Sequence, residues 1–497
     1  MAMINNRQDQ IQKEYFTVAP YERELVTEVS GDFVLPDYQC DIRRILCVFA
    51  TVLPPAKYVS ASEAEFSGTV DFRVTYVGGD GELYSIPLSE AYSFSVPLDA
   101  EGEAGESTVL CSIRADGVNT RVSAPRKLNL RLRLRPYVRV LRQTPATLAI
   151  IGDAPADSVF RRIERARRLE CESSVSEIVP VESVMPPLAD DVRIVSADAG
   201  AVVTACSYIP GGVRCQGKVR IKLVCVSDGG EFSTRTKEVP FESENEISLR
   251  DASLRATATV CDMTVNVGDE GVECSMGVVS EVVACANTEQ EYTADAYSDS
   301  NECECISASL MARSYTMCAC GNATLSERIA IADTSVPADA EIIDAFARAS
   351  MQTCEWQNGK YVFGGNADIT LIWRKDADFG VQELHVPIRY EHSCGDGGEI
   401  ACFDASVALD GLRCRIEGDN LCVDAELVVS ADCMAEHTVN MIETLELGEQ
   451  YISARKAGLT VCYPDSQDTL WAIAKRYKVS PAAVSGEVGS DRFVFVD

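Results

Sequence analysis

The chain has 497 residues, 46% of them hydrophobic, with 76 acidic against 45 basic side chains and a net charge of −31. That hydrophobic share supplies packed cores and excludes wholesale disorder, and the length suggests several domains. The charge excludes nucleic acid and anionic membrane surfaces as partners, because affinity for phosphate comes from clustered Lys and Arg.

In chain order, Met1 to Gln10 lacks the apolar core of a signal peptide, and no apolar run approaches the ~18 residues of a spanning helix. A soluble chain made in the cytoplasm is therefore expected. The 21 cysteines are odd in number and scattered, often alternating with aliphatic residues as in Leu223-Val224-Cys225-Val226. Such thiols read as reduced, buried hydrophobes.

One unit then recurs three times. Phe66-Ser67-Gly68-Thr69-Val70-Asp71-Phe72 matches Cys215-Gln216-Gly217-Lys218-Val219-Arg220-Ile221 and Phe363-Gly364-Gly365-Asn366-Ala367-Asp368-Ile369, the aligned glycines lying 149 and 148 residues apart. Apolar and polar positions alternate, the period of a strand with one buried face. A turn cluster follows each: Gly78 to Gly81, Asp228 to Gly230, and Asp376 to Gly380. The return strands reach Val239-Pro240-Phe241 and Val386-Pro387-Ile388, for which the first copy offers Val96-Pro97-Leu98. Acidic-aliphatic segments at Asp41-Ile42, Asp191-Val192 and Glu341-Ile342 open the copies. Further alternating strands at Leu128 to Arg135, Val272 to Met276 and Leu421 to Ala425 close them. Between the first two copies, Asp157 to Leu169 carries Arg161, Arg162, Arg165, Arg167 and Arg168. It reads as a short basic helix, either a solvated linker or a contact for an acidic partner.

Chemistry is sparse. His385, His392 and His437 show no metal-binding or triad spacing, and no nucleophile elbow or phosphate-binding loop accompanies them, so a non-enzymatic chain without cofactor is expected. The weak metal candidates are Cys303 and Cys305 with Cys318 and Cys320: two Cys-x-Cys pairs supply four thiolates, although the same spacing also puts both thiols on one face of a strand.

The last stretch is the most specific. Asp468 can N-cap a helix in which Leu470, Ile473, Ala474 and Tyr477 form one apolar face, and Ser480-Pro481 opens a second helix. Leu459 to Val461 before it and Arg492 to Val496 after it read as strands. Trp471, Lys475 and Lys478 make a second stripe, which with Arg476 is the candidate partner-binding surface.

Asp468-Thr469-Leu470-Trp471-Ala472-Ile473-Ala474-Lys475-Arg476-Tyr477-Lys478-Val479-Ser480 resembles the helical signature of the LysM module. The segments that would form the sugar groove of that family differ here, with Gln467 in place of Gly and Ser485 to Ser490 in place of an Asn-rich turn. Val34-Leu35-Pro36-Asp37-Tyr38-Gln39-Cys40-Asp41-Ile42-Arg43-Arg44-Ile45-Leu46 resembles the opening of the SipL/SPOCS domain, a repeat of clostridial spore-coat assembly proteins that end in one LysM module.

The resemblance implies a mainly β fold: three tandem β-sandwich or barrel-like domains (residues 1–155, 156–305 and 306–455) and a small βααβ LysM-like module (456–497). It implies a non-enzymatic adaptor of endospore coat assembly, acting in the cytoplasm of the mother cell at the forespore surface or spore coat. Its partners would be a coat-basement morphogenetic ATPase, engaged through the LysM-like end, and other coat proteins. The alternative is a LysM protein binding the glycan of peptidoglycan or cortex.

Overall fold

A computed structural model describes residues 14–60, 62–98, 107–153, 158–394, 398–451, 460–463, 465, 468–486 and 494–496. The expected lack of a signal peptide at Met1 to Gln10, the domain limits at 1, 155, 156, 455, 456 and 497, Asp157, Leu459, Gln467, Glu487 to Ser490, Arg492 and Phe493 all lie outside these residues. The protein is mainly β; among the described residues the strands form seven sheets, and no helix there is long and apolar enough to cross a membrane.

The first 145 residues supply two sheets. In one, β8 (Lys127–Pro145) is flanked by β1 (Tyr15–Glu24), β2 (Thr27–Val34) and β7 (Ser107–Ala124); in the other, β5 (Glu63–Gly78) carries β3 (Ile42–Val52), β4 (Ala56–Val59) and β6 (Leu83–Pro97). A short β9 (Ala149–Ile151) follows. The second pair of sheets sets β10 (Val159–Val175), β11 (Val179–Met185) and β15 (Ser253–Gly268) on the long β16 (Gly271–Ser298), and sets β12 (Val192–Ile209) and β14 (Phe232–Asn245) on β13 (Gly212–Ser227). The third sets β17 (Asn301–Ala330) and β21 (Cys402–Glu417) on β22 (Asn420–Gln450), and β18 (Glu341–Gln357) and β20 (Asp378–Ser393) on β19 (Lys360–Lys375). β9 leaves the first pair and adds parallel to β22 of the third.

The period-2 pattern fixes which face of each strand is buried. Leu128, Leu130, Leu132 and Leu134 of β8 meet Val70, Phe72, Val74 and Tyr76 of β5 in one core. Val272, Cys274 and Met276 meet Val219, Ile221 and Leu223 in the second, and Leu421, Val423 and Ala425 meet Ile369 and Leu371 in the third. The repeated glycines have a packing reason in the first two pairs. Gly68 faces Tyr92 and Gly217 faces Phe241, and a Cβ on either would sit 2.5 Å or less from that ring. This register also corrects an expectation: the counterpart of Val239-Pro240-Phe241 is Glu90-Ala91-Tyr92, not Val96-Pro97-Leu98.

The basic stretch before Leu169 is likewise a strand, not a helix. β10 pairs with β16 over its whole length, and that ladder overrides the local preference. Its arginines are taken up beside it: Arg165 by Glu291 at 2.7 Å, Arg161 by Thr293 at 2.9 Å, and Arg168 over the ring of Tyr15 at 4.1 Å.

The three pairs close on one another in a ring, through two layers of contact. At the hairpin ends, one apolar cluster draws Val77 and Leu83, Val224 and Val226, and Ile372 and Phe379 from the three pairs. Around it an arginine of each pair donates to a hairpin carbonyl of another: Arg44 to Phe379, Arg193 to Leu83 at 3.1 Å, and Arg374 to Gly230. The order is cyclic, first to third, second to first, third to second. Arg73 to Asp198 and Lys222 to Asp344, both at 2.6 Å, add ion pairs between pairs.

The second layer lies on the long strands. Leu141, Cys285 and Met434 stand at equivalent positions, each thirteen residues after the first core residue of β8, β16 or β22, and meet in one cluster with Leu110, Leu169, Val283 and Tyr315. Buried charges surround it. Arg255 of the second pair reaches Asp432 at 2.6 Å and Asp404 at 2.9 Å in the third, and Arg313 of the third reaches Glu22 of the first at 2.6 Å. Arg139 shares Glu22 at 2.9 Å.

Candidate functional site

The last described residues form a small module. β23 (Thr460–Cys462) and β24 (Val484–Gly486) flank β25 (Val494–Val496), and α1 (Leu470–Tyr477) packs on them. The helix starts one residue later than the sequence implies, because Thr469 is the N-cap and its Oγ1 accepts from Ala472 N at 3.1 Å. Asp468 is instead held by Arg476, at 2.7 Å. Ser480-Pro481 opens a single 3-10 turn rather than a second α-helix, with Ser480 accepting from Ala482 N at 3.3 Å.

Which face of α1 turns inward is the main correction. Ile473 and Ala474 are buried as expected, with Cys462, Val479, Val484 and Val496. Leu470 and Tyr477, read as members of the same apolar face, are 41% and 38% exposed. Of the residues read as a partner-binding surface, Trp471 and Lys475 reach the body of the molecule, whereas Arg476 and Lys478 are exposed. Trp471 Nε1 donates to Asp295 Oδ2 at 2.7 Å, and Lys475 Nζ to Asp295 Oδ1 at 2.6 Å. The indole stands edge-on to Tyr297 with ring centroids 5.0 Å apart, and the Tyr297 hydroxyl donates to the carbonyl of Val479 at 2.6 Å. Asp295 and Tyr297 share one face of β16, so the second sheet pair holds the module by an acid and an aromatic ring two residues apart.

Burial disfavours the Asp295 carboxylate, but the Lys475 and Trp471 hydrogen bonds outweigh it and hold the carboxyl below its usual range. The Asp295 carboxylate is therefore charged at neutral pH. The two remaining candidates also have partners: Arg476 pairs with Asp468, and the Lys478 ammonium lies 3.5 Å from the centroid of the Tyr451 ring.

Exposed apolar side chains on the module were missed in the sequence. Val461 is 45% exposed on β23 and Tyr463 78% exposed just after it. A hydrogen bond with Cys462 raises the Tyr477 phenol and sets its hydroxyl beside β23. Nothing in the local pattern distinguishes these side chains from core ones.

The cysteine candidates do not form one metal site. Cys303 and Cys305 lie opposite Leu447 and Leu445, whereas Cys318 and Cys320 lie opposite Asp432 and Ser430 on the same strand pair. Thirteen residues of strand separate Cys305 from Cys318, roughly 43 Å at ~3.3 Å per residue. The histidines are used locally. His385 pairs with Asp368 at 2.7 Å, His392 meets the Tyr390 hydroxyl at 3.4 Å, and burial pushes the half-buried His437 down.

Between the two contact layers of the ring lies a cavity of about 1820 Å³, lined from all three pairs by residues such as Phe49, Lys222, Arg348 and Asp404. Some of its charges hold the pairs together. Arg348 of the third donates to Ala50 O and Ala115 O of the first at 3.1 and 2.9 Å, and Lys218 of the second meets Asp410 of the third at 2.8 Å.

Comparison of the chain with protein-family models, with curated proteins and with solved structures finds no match.

Proposed function

We propose that the chain is a non-enzymatic adaptor of endospore coat assembly: three tandem β-sandwich domains that carry a LysM-like module and recruit or anchor a coat-basement morphogenetic ATPase through it. The observation that carries this reading is the set of exposed apolar side chains on the module. Leu470 and Tyr477, with Val461 and Tyr463, leave apolar side chains exposed on a small module that is itself fastened to the body by Trp471 and Lys475. Large exposed apolar side chains with a Tyr among them suit a protein partner. The resemblance to the SipL/SPOCS and LysM families supplies the process and the partner, and places the chain in the mother cell at the forespore surface.

With Trp471 and Lys475 engaged by Asp295, the recruiting surface moves to the exposed ends of the helix, Leu470 and Tyr477. The test is affinity capture from sporulating cells with the wild type and a Leu470→Glu, Tyr477→Glu variant, after circular dichroism has shown that both are folded. Loss of one dominant coat-basement partner from the variant supports the adaptor. Capture unchanged by the two substitutions refutes the surface. Retention of the purified protein on peptidoglycan would move the function to glycan binding.

A further inference from the structure

We propose that Cys206 and Cys215 are a dithiol site of oxidative modification, closing to a reversible disulfide when the chain meets hydrogen peroxide. The two residues are direct partners in the β12–β13 ladder. Directly opposed residues of an antiparallel pair have Cα atoms about 4.5–5.5 Å apart, inside the span a disulfide bridges. The two Sγ atoms already lie 3.6 Å apart. Closing to a bond of about 2.05 Å needs side-chain rotation and no rearrangement of the backbone.

The two thiols have different surroundings, which divides their roles. Cys215 is fully buried under Ile247, and Cys206 is half-buried at the edge of the same cluster. The hydrogen bond from Cys215 pulls the Cys206 thiol down toward the thiolate, and the same contact with burial pushes Cys215 up. Cys206 is therefore the attacking sulfur. Its thiolate attacks one peroxide oxygen, the O–O bond breaks, and hydroxide leaves with a proton as water. The Cys215 sulfur then attacks the sulfur of the Cys206 sulfenic acid, the S–O bond breaks, and the hydroxyl leaves with the Cys215 proton as a second water. Two thiols and one hydrogen peroxide give one disulfide and two waters, with two electrons passing from sulfur to oxygen.

A second opposed pair sharpens the assignment. Cys171 and Cys285 are partners on β10 and β16 with Sγ atoms 3.0 Å apart, but Cys285 is completely enclosed in the cluster where the three sheet pairs meet, and its thiol is pushed well above its usual value. Closeness alone would make this pair react first. Access and thiolate character reverse the order.

The experiment uses the full chain, reduced and freed of reductant, treated with equimolar hydrogen peroxide, blocked with iodoacetamide, digested and mapped by mass spectrometry. The expected product is the Cys206 peptide joined to the Cys215 peptide, lighter than their sum by two hydrogens, formed before any Cys171–Cys285 link and restored to free thiols by dithiothreitol. In Cys215→Ser the reaction stops at the Cys206 sulfenic acid, which dimedone traps. Recovery of Cys206 alkylated, over-oxidised to the sulfinic acid, or joined to Cys320 on the neighbouring β17 overturns the assignment on the wild-type chain alone.

Discussion

The two layers that close the ring solve the same problem with different chemistry. At the hairpin ends the donors repeat: Arg44 and Arg193 occupy equivalent places, opposite Val77 and Val226 in their ladders, and each donates to a backbone carbonyl of another sheet pair. In the third pair that place holds Glu341, and the residue opposite it, Arg374, becomes the donor while pairing with Glu341 at 2.9 Å. At the long-strand ends the apolar contact repeats through Leu141, Cys285 and Met434, but the charges do not. The place of Arg139 in the first pair is Val283 in the second and Asp432 in the third, and the charges form one lopsided network. A carbonyl is present whatever the side chain, so carbonyl acceptors let three unlike copies share one geometry. Charge pairs need a specific residue on each side, so each works only between particular neighbours.

The largest expected effect separates the layers by energy. Arg255 is buried against Asp404 and Asp432, and Arg255→Ala leaves both carboxyls without their cation, at a cost of about 3–5 kcal/mol. Arg193 is half exposed and bonds a carbonyl and Glu82, so Arg193→Ala costs about 1 kcal/mol. Urea unfolding of the two variants beside the wild type measures both. Equal losses would mean that the two layers do not differ in kind.

The same network gives a pH signature. Burial pushes Asp404 up, but Arg255 and then Arg139 outweigh it and hold the carboxyl below its usual range. Burial also pushes Asp432 up, and Arg255 does not overcome it beside the Asp404 charge, so Asp432 stands above its usual range. One guanidinium shared by two buried carboxyls splits them. The Asp404 contribution is complete above the unfolded carboxylate pKa of about 4 and is lost as pH falls through the lower folded value. The Asp432 carboxyl binds its proton more tightly when folded, so its contribution is present at low pH and lost as pH rises through the raised value. Asp432→Asn, which keeps the neutral shape, should therefore gain stability over the wild type as pH rises from about 4. Asp404→Asn should lose least relative to the wild type near pH 3 and most at neutral pH. Urea midpoints across that range decide it, and parallel curves would break the assignment of opposite shifts.

Strand positions were legible in the sequence because burial on one face writes a period of two, as in Leu128 to Arg135 and its counterparts. The arginine-rich β10 was not. Its seventeen residues are held by backbone pairing to β16, and most of its side chains face solvent or charge partners, so no apolar period marks it. The ring was also hidden: Arg44 and Phe379 are 335 residues apart, and a donor to a carbonyl leaves no complementary side chain to find. The C-terminal helix was legible as a helix with two stripes. Which stripe turns inward is decided by Asp295, 176 residues before Trp471, and no local pattern contains that information.

That single carboxylate makes the module docking the next effect in size. Asp295→Ala removes the acceptor of both Trp471 and Lys475 and leaves the ring packing on Tyr297 and its hydrogen bond to the Val479 carbonyl. We expect a loss of roughly 2 kcal/mol of docking, read as faster amide hydrogen exchange across residues 470–477 with the exchange of β8 unchanged. Faster exchange spread over the whole chain, β8 included, would instead make the module part of the ring's own cooperative unit.

The smallest expected effect is a near-cancellation at the end of the same helix. Lys478 closes α1 in the left-handed region with φ of 55°, a conformation that costs a side chain about 1 kcal/mol and glycine little. Its ammonium also lies over the Tyr451 ring, an exposed cation–π contact of about 0.5–1 kcal/mol, and adds positive charge at the helix C-terminus. Lys478→Gly relieves the first and forfeits the other two, so the module's stability should change by less than about 0.5 kcal/mol. With Tyr451→Ala already in place the aromatic contact is gone, and the same substitution should stabilise by about 0.5 kcal/mol. Hydrogen exchange at the Val479 amide, which bonds to Ala474 O at 3.1 Å across this turn, reads both cases. If glycine stabilises the module equally with and without the Tyr451 ring, the ring does nothing for Lys478. The module would then be fastened at Asp295 and Tyr297 alone, the opposite of the many-point closure of the ring.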